Sequence, residues 1–386
     1  MRTLLALLLL VPFQAERVVV VARHGRSLRG TIDGRPLLVL RGSAAERGEA
    51  QAVLAGKEIL RGIEAVVSTV QAKRPGAWDL SMILAAKRFH WPARFEAELA
   101  AMAARLPADP VPALGRKAGI DDLRVMNCLS DLLGAGCSSF SAWGALTPDG
   151  QVITARNADY SYFPLLDLIS LVAVEPSEKD LRATLDLGMP GSIGASTALN
   201  AEGAWLALHD EPGLPGAKPS GWIPRAVALR DAIERARGKE AVEDVAAILR
   251  KSPTKVGNNV HVSGPGIVPA VLEWDGNAKD EGVTLRKGEG TSIVCTNHYV
   301  ARASRDRGDS QGRYDLLKKG ATGKIDFEAA RRMLDGVSRS GGNLTLFSVI
   351  TWPAARRYAF AIAPGLQTSA PKARWTTVEW DEVLAK

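Results

Sequence analysis

The sequence predicts an α+β chain with mainly antiparallel strands, and three observations carry that prediction. Before residue 137 the apolar residues recur at helical spacing, in AERGEAQAVLAGKEILRGIEAVVSTV, RFEAELAAMAARL and IDDLRVMNCLSDLL. After it, short runs rich in β-branched and aromatic residues dominate: CSSFSAWGAL, QVITARN, LDLISLVAVEP, GAWLALH, NNVHVSG, AVLEW, SIVCTN, LTLFSVITW and RYAFAIA. Two helical stretches interrupt them, IPRAVALRDAIERAR with VEDVAAILRK, and SQGRYDLLKKG with DFEAARRMLDGV. The 37 glycines and 21 prolines add the many turns that layered sheets require.

Composition narrows the class. With 386 residues, 46% hydrophobic and 24% charged, the chain can bury a large core in one elaborate domain or two small ones. The net charge is +7, but the basic residues are interspersed with acidic ones, which argues against nucleic-acid binding and leaves room for attraction to an anionic substrate. The start of the chain reads as an address: Arg2, the apolar LLALLLLVPF and Gln14-Ala15 give a signal peptide over residues 1–15 and an extracytoplasmic mature protein. That apolar stretch is shorter than the roughly 20 residues a bilayer span needs, and no other segment is long and apolar enough, so no membrane span is expected.

Next comes RVVVVARHGRS, a β-branched run closed by the polar turn Arg23-His24-Gly25, and then the helical stretches up to Leu133. Three cysteines are an odd number for an oxidising compartment; pairing Cys128 with Cys295 would leave Cys137 free, while the alternative is that both are small buried hydrophobes. The histidines His24, His90, His209, His261 and His298 lie far apart, and no Cys-x-x-Cys or His-x-x-x-His spacing occurs, so neither a metal nor another cofactor is expected. SRSGGN, between a helical run and a strand, reads as a turn rather than a phosphate loop.

Gly136-Cys137 opens the strand CSSFSAWGAL, and TPDG with its Asp149-Gly150 pair signals a two-residue hairpin. Pairing outward from that centre sets Cys137 roughly opposite Tyr162 and brings Arg156 and Asp159 back to the cysteine's end. Strand alternation places Arg156 on the face of Cys137 and aims Asp159 the other way, so a bulge or strand end near Asn157 is expected to re-aim it. Cutting the Gly136-Cys137 bond would give Cys137 a free α-amine of pKa about 7.7 to 8.0, a base on the same residue as the thiol. Arg156 would favour the thiolate and Asp159 would hold the amine. Before the cut the nitrogen is an amide, so the intact chain is expected to be inactive. Gly136, without a Cβ, allows the thiol to attack its own preceding carbonyl.

From its nucleophile-like stretch GCSSFSAWGALTPDGQVITARNADY, the chain resembles the cysteine N-terminal-nucleophile (Ntn) hydrolases of the linear-amide type, the penicillin acyl-coenzyme A acyltransferase group with the bile-salt hydrolases and acid-ceramidase relatives. VLRGSAAERGEAQ, FEAELAAMAARL and DDLRVMNCLSDL upstream, and NNVHVSGPGIVPAVLEW, TNHY and SQGRY downstream, are similar to that family's elements in the expected order, from Leu38 to Leu317. The resemblance implies a four-layer αββα sandwich with a helical N-terminal pro-segment. It also implies Cys137 as nucleophile, Arg156 and Asp159 in support, Asn259 as oxyanion donor with Asn258 as its rival, and Arg313 as a second active-site arginine. Asn200 in LNAEG looks like the family's Asn-x-x-Gly turn, a structural element. His209-Asp210 departs from the asparagine that bile-salt hydrolases place nearby, so no role is carried over to it. Trp143, Tyr160, Tyr162 and Phe163 are candidates for an apolar acyl pocket, with core packing as the plainer reading.

The expected organisation is a signal peptide at 1–15, a mainly helical pro-segment at 16–136 that stays packed on the sheets, and a catalytic chain at 137–386. The expected function is a self-processing cysteine amidohydrolase or acyltransferase acting on a linear amide through a thioester. Its partner would be a small acylated amine or amide, with no nucleic acid; the oligomeric state is left open. Two other readings stand beside it. Arg23-His24-Gly25 with the later His209-Asp210 is how a histidine phosphatase would present its nucleophile and acid, although no further arginine motif supports it and everything from Gly134 onward would go unexplained. A non-catalytic, ligand-binding relative is the other.

Overall fold

A computed structural model describes residues 17–133, 136–161, 165–215, 220–275, 282–304 and 307–385. The signal-peptide reading, and Tyr162 and Phe163 of the pocket reading, fall outside them.

The N-terminal part supplies strands β1 (Val18–His24), β2 (Ser27–Ile32) and β3 (Arg35–Gly42), then helices α1 (Ala44–Lys73), α2 (Ile83–Ala86), α3 (Ala93–Arg105) and α4 (Ile120–Leu133). Helix α1 starts on a capping box: Ser43 Oγ accepts from Glu46 N–H, and Glu46 Oε2 accepts from Ser43 N–H at 2.7 Å. Strands β4 (Gly136–Ala142), β5 (Ile153–Ser161), β6 (Ser170–Pro176), β7 (Thr184–Gly188), β8 (Thr197–Asn200) and β9 (Trp205–Pro215) follow. Then come α5 (Arg225–Arg235), α6 (Ala241–Arg250), β10 (Val256–Ser263), β11 (Ala270–Trp274), β12 (Val283–Lys287) and β13 (Ser292–Cys295). Helices α7 (Gly308–Gly320) and α8 (Phe327–Gly336), strands β14 (Asn343–Trp352), β15 (Arg357–Ile362) and β16 (Trp375–Glu379), and α9 (Trp380–Leu384) complete the described chain.

The strands form two sheets, a ten-stranded one ordered β1-β2-β3-β6-β7-β8-β9-β10-β11-β12 and a six-stranded one ordered β13-β4-β5-β14-β15-β16. Period-two alternation explains how they stack. In β3, Leu37 and Val39 enter the core between the sheets while Leu38 and Leu40 pack against α1. In β9, Trp205 and Ala207 face the other sheet while Leu206 and Leu208 meet α5 and α6. The outer face of the six-stranded sheet, with Phe140, Ile153 and Ala155, is covered by Leu317 of α7 and Leu334 of α8. The layers are therefore helix, sheet, sheet, helix, an αββα sandwich within the α+β class.

The N-terminal segment is more than helices. Its three strands extend the ten-stranded sheet through the parallel pairing of β3 with β6, Leu37 opposite Leu171 to Gly42 opposite Pro176. Burying α1, α3 and α4 against Leu165, Leu168, Ile193 and Val227 adds a shared core. Among the described residues no helix is long and apolar enough to cross a membrane.

Two expectations need correction. The turn at Asp149-Gly150 exists, with Gly150 at φ +75° and Gln151 N–H on Asp149 Oδ1, but β4 and β5 pair only from Ala142 opposite Ile153. The residues between form a wide loop, held by Gly144 N–H on Gly150 O, Ile325 N–H on Leu146 O and Lys324 Nζ on Thr147 O. Cys137 therefore faces Ala158, not Tyr162. The other correction concerns sulfur: Cys128, Cys137 and Cys295 are all free thiols, Cys128 being buried among the outer helices while Cys295 lies between the sheets beside Val271 and Ile293. The ten-stranded sheet lies between the two residues read as a disulfide.

Candidate active site

The register error preserves parity, so the residues on each face are those the alternation rule gives. Cys137, Ser139 and Ser141 on β4, with Thr154, Arg156 and Ala158 on β5, face the ten-stranded sheet; Gly136, Asn157 and Asp159 face the α7-α8 side. The β4-β5 ladder is regular from Gly136 opposite Asp159 to Ala142 opposite Ile153, and no bulge re-aims Asp159. The break in register sits in the neighbouring strand, between Thr345 and Phe347 of β14.

Cys137 is 1% exposed, and its three polar groups are each held. Arg156 Nη2 donates to Sγ at 3.0 Å and to Leu208 O at 2.8 Å, and Arg156 Nη1 donates to Thr197 Oγ1. The Cys137 N–H donates to Asn297 Oδ1 at 2.8 Å. Arg313 Nη1 donates to Cys137 O at 2.5 Å while its Nη2 donates to the same Asn297 Oδ1 at 2.9 Å. Burial pushes the Cys137 thiol up and the Arg156 guanidinium opposes it. Arg156 is itself fully buried and makes no ion pair with a carboxylate of the described residues; its charge faces the sulfur.

Asn297 is the residue that sequence reasoning did not single out. TNHY stood in the right order, but nothing local distinguishes Asn297 from Asn258 or Asn259. It follows the end of β13, where extending the pairing of Cys295 with Ser139 by two residues brings it level with Cys137. Its Nδ2 donates to Asp210 O at 2.8 Å and its backbone N–H to Ser310 Oγ at 2.7 Å.

Asn259 sits on the same inner face, but its two amide hydrogens go to Thr296 O and His298 O, at 3.1 and 3.0 Å. It thus braces the turn that carries Asn297, and to serve an oxyanion it must release one of these carbonyls, as Asn297 must release Asp210 O. Asn258 faces the helices and is occupied by Arg225, Thr254 and Val256. Asn200 closes its turn by accepting from Glu202 and Ala204 N–H and donating to Ile233 O and Ala236 O.

Asp159 is buried beside Gly136. Its Oδ1 accepts from Thr345 Oγ1 at 2.6 Å, Arg339 Nε lies 3.8 Å from Oδ2, and Thr345 Oγ1 in turn accepts Arg339 N–H at 2.8 Å. Burial raises the Asp159 carboxyl; the Thr345 hydroxyl and the Arg313, Arg339 and Arg156 charges pull the other way. In the intact chain Asp159 does not hold the Cys137 nitrogen, because Asn297 does.

Behind the nucleophile runs a buried polar band. The His261 ring meets Ser139 Oγ through Nδ1 at 2.8 Å and Ser141 Oγ through Nε2 at 2.9 Å, and Ser141 continues to Thr154 and Ser263. Burial drives the His261 pKa down to about 3. His209, paired with Asn259 across β9 and β10, is also buried and held well below the usual value by burial and by the Arg156 charge. Asp210 faces the other way, 2.7 Å from Arg225 Nη1.

His24 ends the edge strand β1, next to Glu49. It is six strands from His209-Asp210 on β9, roughly 30 Å at the usual strand spacing. A phosphatase site built from His24 and that pair does not form. Of the pocket candidates, Trp143 packs half-buried on Val271, Ile293 and Cys295, and Tyr160 on the core between the sheets.

No curated protein sequence matches the chain at a significant level. Similar solved structures include an N-acylethanolamine-hydrolyzing acid amidase ortholog from Caenorhabditis elegans, with 13% identity, 63% of this chain and 99% of that chain covered, and a TM-score of 0.43. Penicillin V acylase from Agrobacterium tumefaciens gives 13% identity, 65% and 89% coverage and a TM-score of 0.44. A variant of the conjugated bile acid hydrolase from Clostridium perfringens gives 13%, 64%, 98% and 0.39 for the same quantities. Residues 145–341, which include Arg156, Asp159, Asn297 and Arg313 and begin just after Cys137, match the family model of the acyl-coenzyme A:6-aminopenicillanic acid acyl-transferases. The chain belongs to that family of Ntn-type amidohydrolases and acyltransferases, which act on C–N bonds.

Proposed function

We propose that the chain is an extracytoplasmic cysteine amidohydrolase or acyltransferase that activates itself by cutting the Gly136-Cys137 bond. The observation that carries this reading is the double hold on Cys137: a buried guanidinium on its sulfur at 3.0 Å and Asn297 Oδ1 on its nitrogen at 2.8 Å. Any buried backbone N–H needs an acceptor, but a structural cysteine needs no guanidinium on its sulfur.

In self-cleavage Sγ bonds to the Gly136 carbonyl carbon, the C–N bond breaks and the Cys137 nitrogen takes a proton; water then clears the thioester. The nitrogen becomes an amine with a pKa of about 7.7 to 8.0, able to take the thiol proton and pass it to a leaving amine. Arg156 stabilises the thiolate. Asn297 orients the amine through Oδ1, and as the side-chain amide touching Cys137 it takes the oxyanion role expected of Asn259, releasing Asp210 O as substrate enters. Such a donor contributes about 2.7 to 4 kcal/mol. Arg313 fixes the Cys137 carbonyl, and Asp159 orders the strand end around the cut. Water makes the enzyme a hydrolase; an acceptor amine makes it a transferase.

Intact mass and N-terminal sequencing test the reading, the latter also locating the signal cleavage. Two fragments meeting at Cys137 are expected, and none in Cys137→Ala. In the cut protein, Asn297→Ala lowers kcat on an acyl-amide panel by about 100- to 1000-fold. An uncut wild-type chain with full amidase activity would sink the amine-as-base mechanism.

A further inference from the structure

We infer that the glycine before the cut is a template for the acyl group in turnover, so that the enzyme discriminates between the enantiomers of acyl donors branched at the carbon α to the scissile carbonyl, rejecting the one whose branch takes the L-side-chain position, with Arg339 as the specificity-determining residue. This rests on the proposed role of Cys137. Self-cleavage makes a thioester between Sγ and the Gly136 acyl group; turnover makes a thioester between the same Sγ and the substrate's acyl carbon. One bond beyond that carbon, and once the freed Gly136 end has left the site while the rest of its segment stays bound, the substrate's α-carbon takes the place of Gly136 Cα.

That place is narrow on one side. Gly136 stands directly opposite Asp159 in the β4-β5 ladder. A Cβ built on Gly136 in the L configuration lies 3.3 Å from Arg339 Nη1, 3.3 Å from Asp159 Cβ and 3.5 Å from Asp159 Oδ2. The first two distances are below ordinary van der Waals contact. Gly136 does not adopt a positive φ, so the room beside its α-carbon, not its backbone conformation, calls for glycine here. The two walls differ in stiffness. Asp159 Cβ is fixed to a central strand, and its carboxylate is held by Thr345. Arg339 is a long side chain, 23% exposed, paired with Asp309, which is 68% exposed. Arg339 is the wall that substitution can remove. At a tetrahedral α-carbon a substituent of the opposite configuration leaves in a different direction from the one that meets these two walls.

The test compares a straight-chain acyl anilide with both enantiomers of its 2-methyl analogue, in wild type and Arg339→Ala. The enantiomer whose methyl takes the L-side-chain position is expected to have kcat/KM lower by about tenfold or more, as for one misplaced methyl group in a shaped pocket. The other enantiomer stays close to the straight chain, and Arg339→Ala narrows the ratio severalfold. In parallel, Gly136→Ala slows self-cleavage, followed by intact mass, and adding Arg339→Ala restores part of the rate. Equal use of both enantiomers, or a ratio unmoved by Arg339→Ala, overturns the inference while leaving Cys137 as nucleophile. Turnover or self-cleavage that survives Cys137→Ala, or a wild type that shows neither, defeats the underlying reading instead.

Discussion

Arg156→Met isolates the electrostatic claim on which the chemistry rests. The guanidinium is buried, its Nη2 is 3.0 Å from Cys137 Sγ, and no carboxylate of the described residues pairs with it. At an effective dielectric constant of about 20, unit charges at that distance attract by roughly 5 to 6 kcal/mol. Nearest-atom distance overstates the attraction, because the guanidinium charge is spread; one neighbouring opposite charge usually shifts a pKa by about 1 to 3 units. Methionine fills a similar apolar volume and carries no charge. The thiolate ultraviolet absorbance of each protein, taken against its Cys137→Ser counterpart, is expected to titrate at least about 1 unit higher in Arg156→Met. Stability responds differently. Methionine removes a buried ion but also leaves Leu208 O and Thr197 Oγ1 without this donor, at about 1 to 3 kcal/mol each, so urea unfolding should show a loss of a few kcal/mol while activity on any acyl amide collapses. Coincident thiol titrations would refute the claim that Arg156 controls the sulfur.

Two further outcomes follow from burial. His261 has a folded pKa of about 3 against 6.5 when free, so as pH falls below about 6.5 the unfolded chain takes the proton first and stability drops until about pH 3. At about pH 5 the loss from this residue is about 2 kcal/mol, and His261→Gln should remove that share of the acid dependence in urea unfolding; an unchanged dependence would exclude His261 as its source. After the cut, the N-terminal segment should remain bound to the 137–386 chain. It carries three sheet strands, and the buried Glu98 of α3 lies 2.9 Å from Arg230 Nη1 of α5. Native mass spectrometry should find one two-chain particle, and a folded 137–386 chain eluting alone from size exclusion would contradict it.

Periodicity alone gave the helical first third, the strand-rich remainder and the shared face of Cys137 and Arg156, since a register error of an even number of residues leaves every side chain on its own face. Fine register was not legible. Asp149-Gly150 is good turn chemistry, but Gly144, Pro148 and the contacts of Leu146 and Thr147 with residues 324–325 widen the turn into a loop. The thiol pairing failed because a sheet lies between Cys128 and Cys295, which no count of cysteines reveals.

What the sequence by itself determined is the local chemistry: a glycine-cysteine strand start and an Arg-x-x-Asp return strand, fixed by a two-residue period over a short separation. What only the tertiary structure decided is which distant side chains complete the site. Asn297 rather than Asn259 reaches the Cys137 nitrogen, and Arg339 closes on Gly136, because strands β13 and β14 are laid on either side of the β4-β5 pair. Those contacts span more than 150 residues, and their partners are chosen by sheet order and register, quantities that the global packing of two sheets sets and no local pattern encodes.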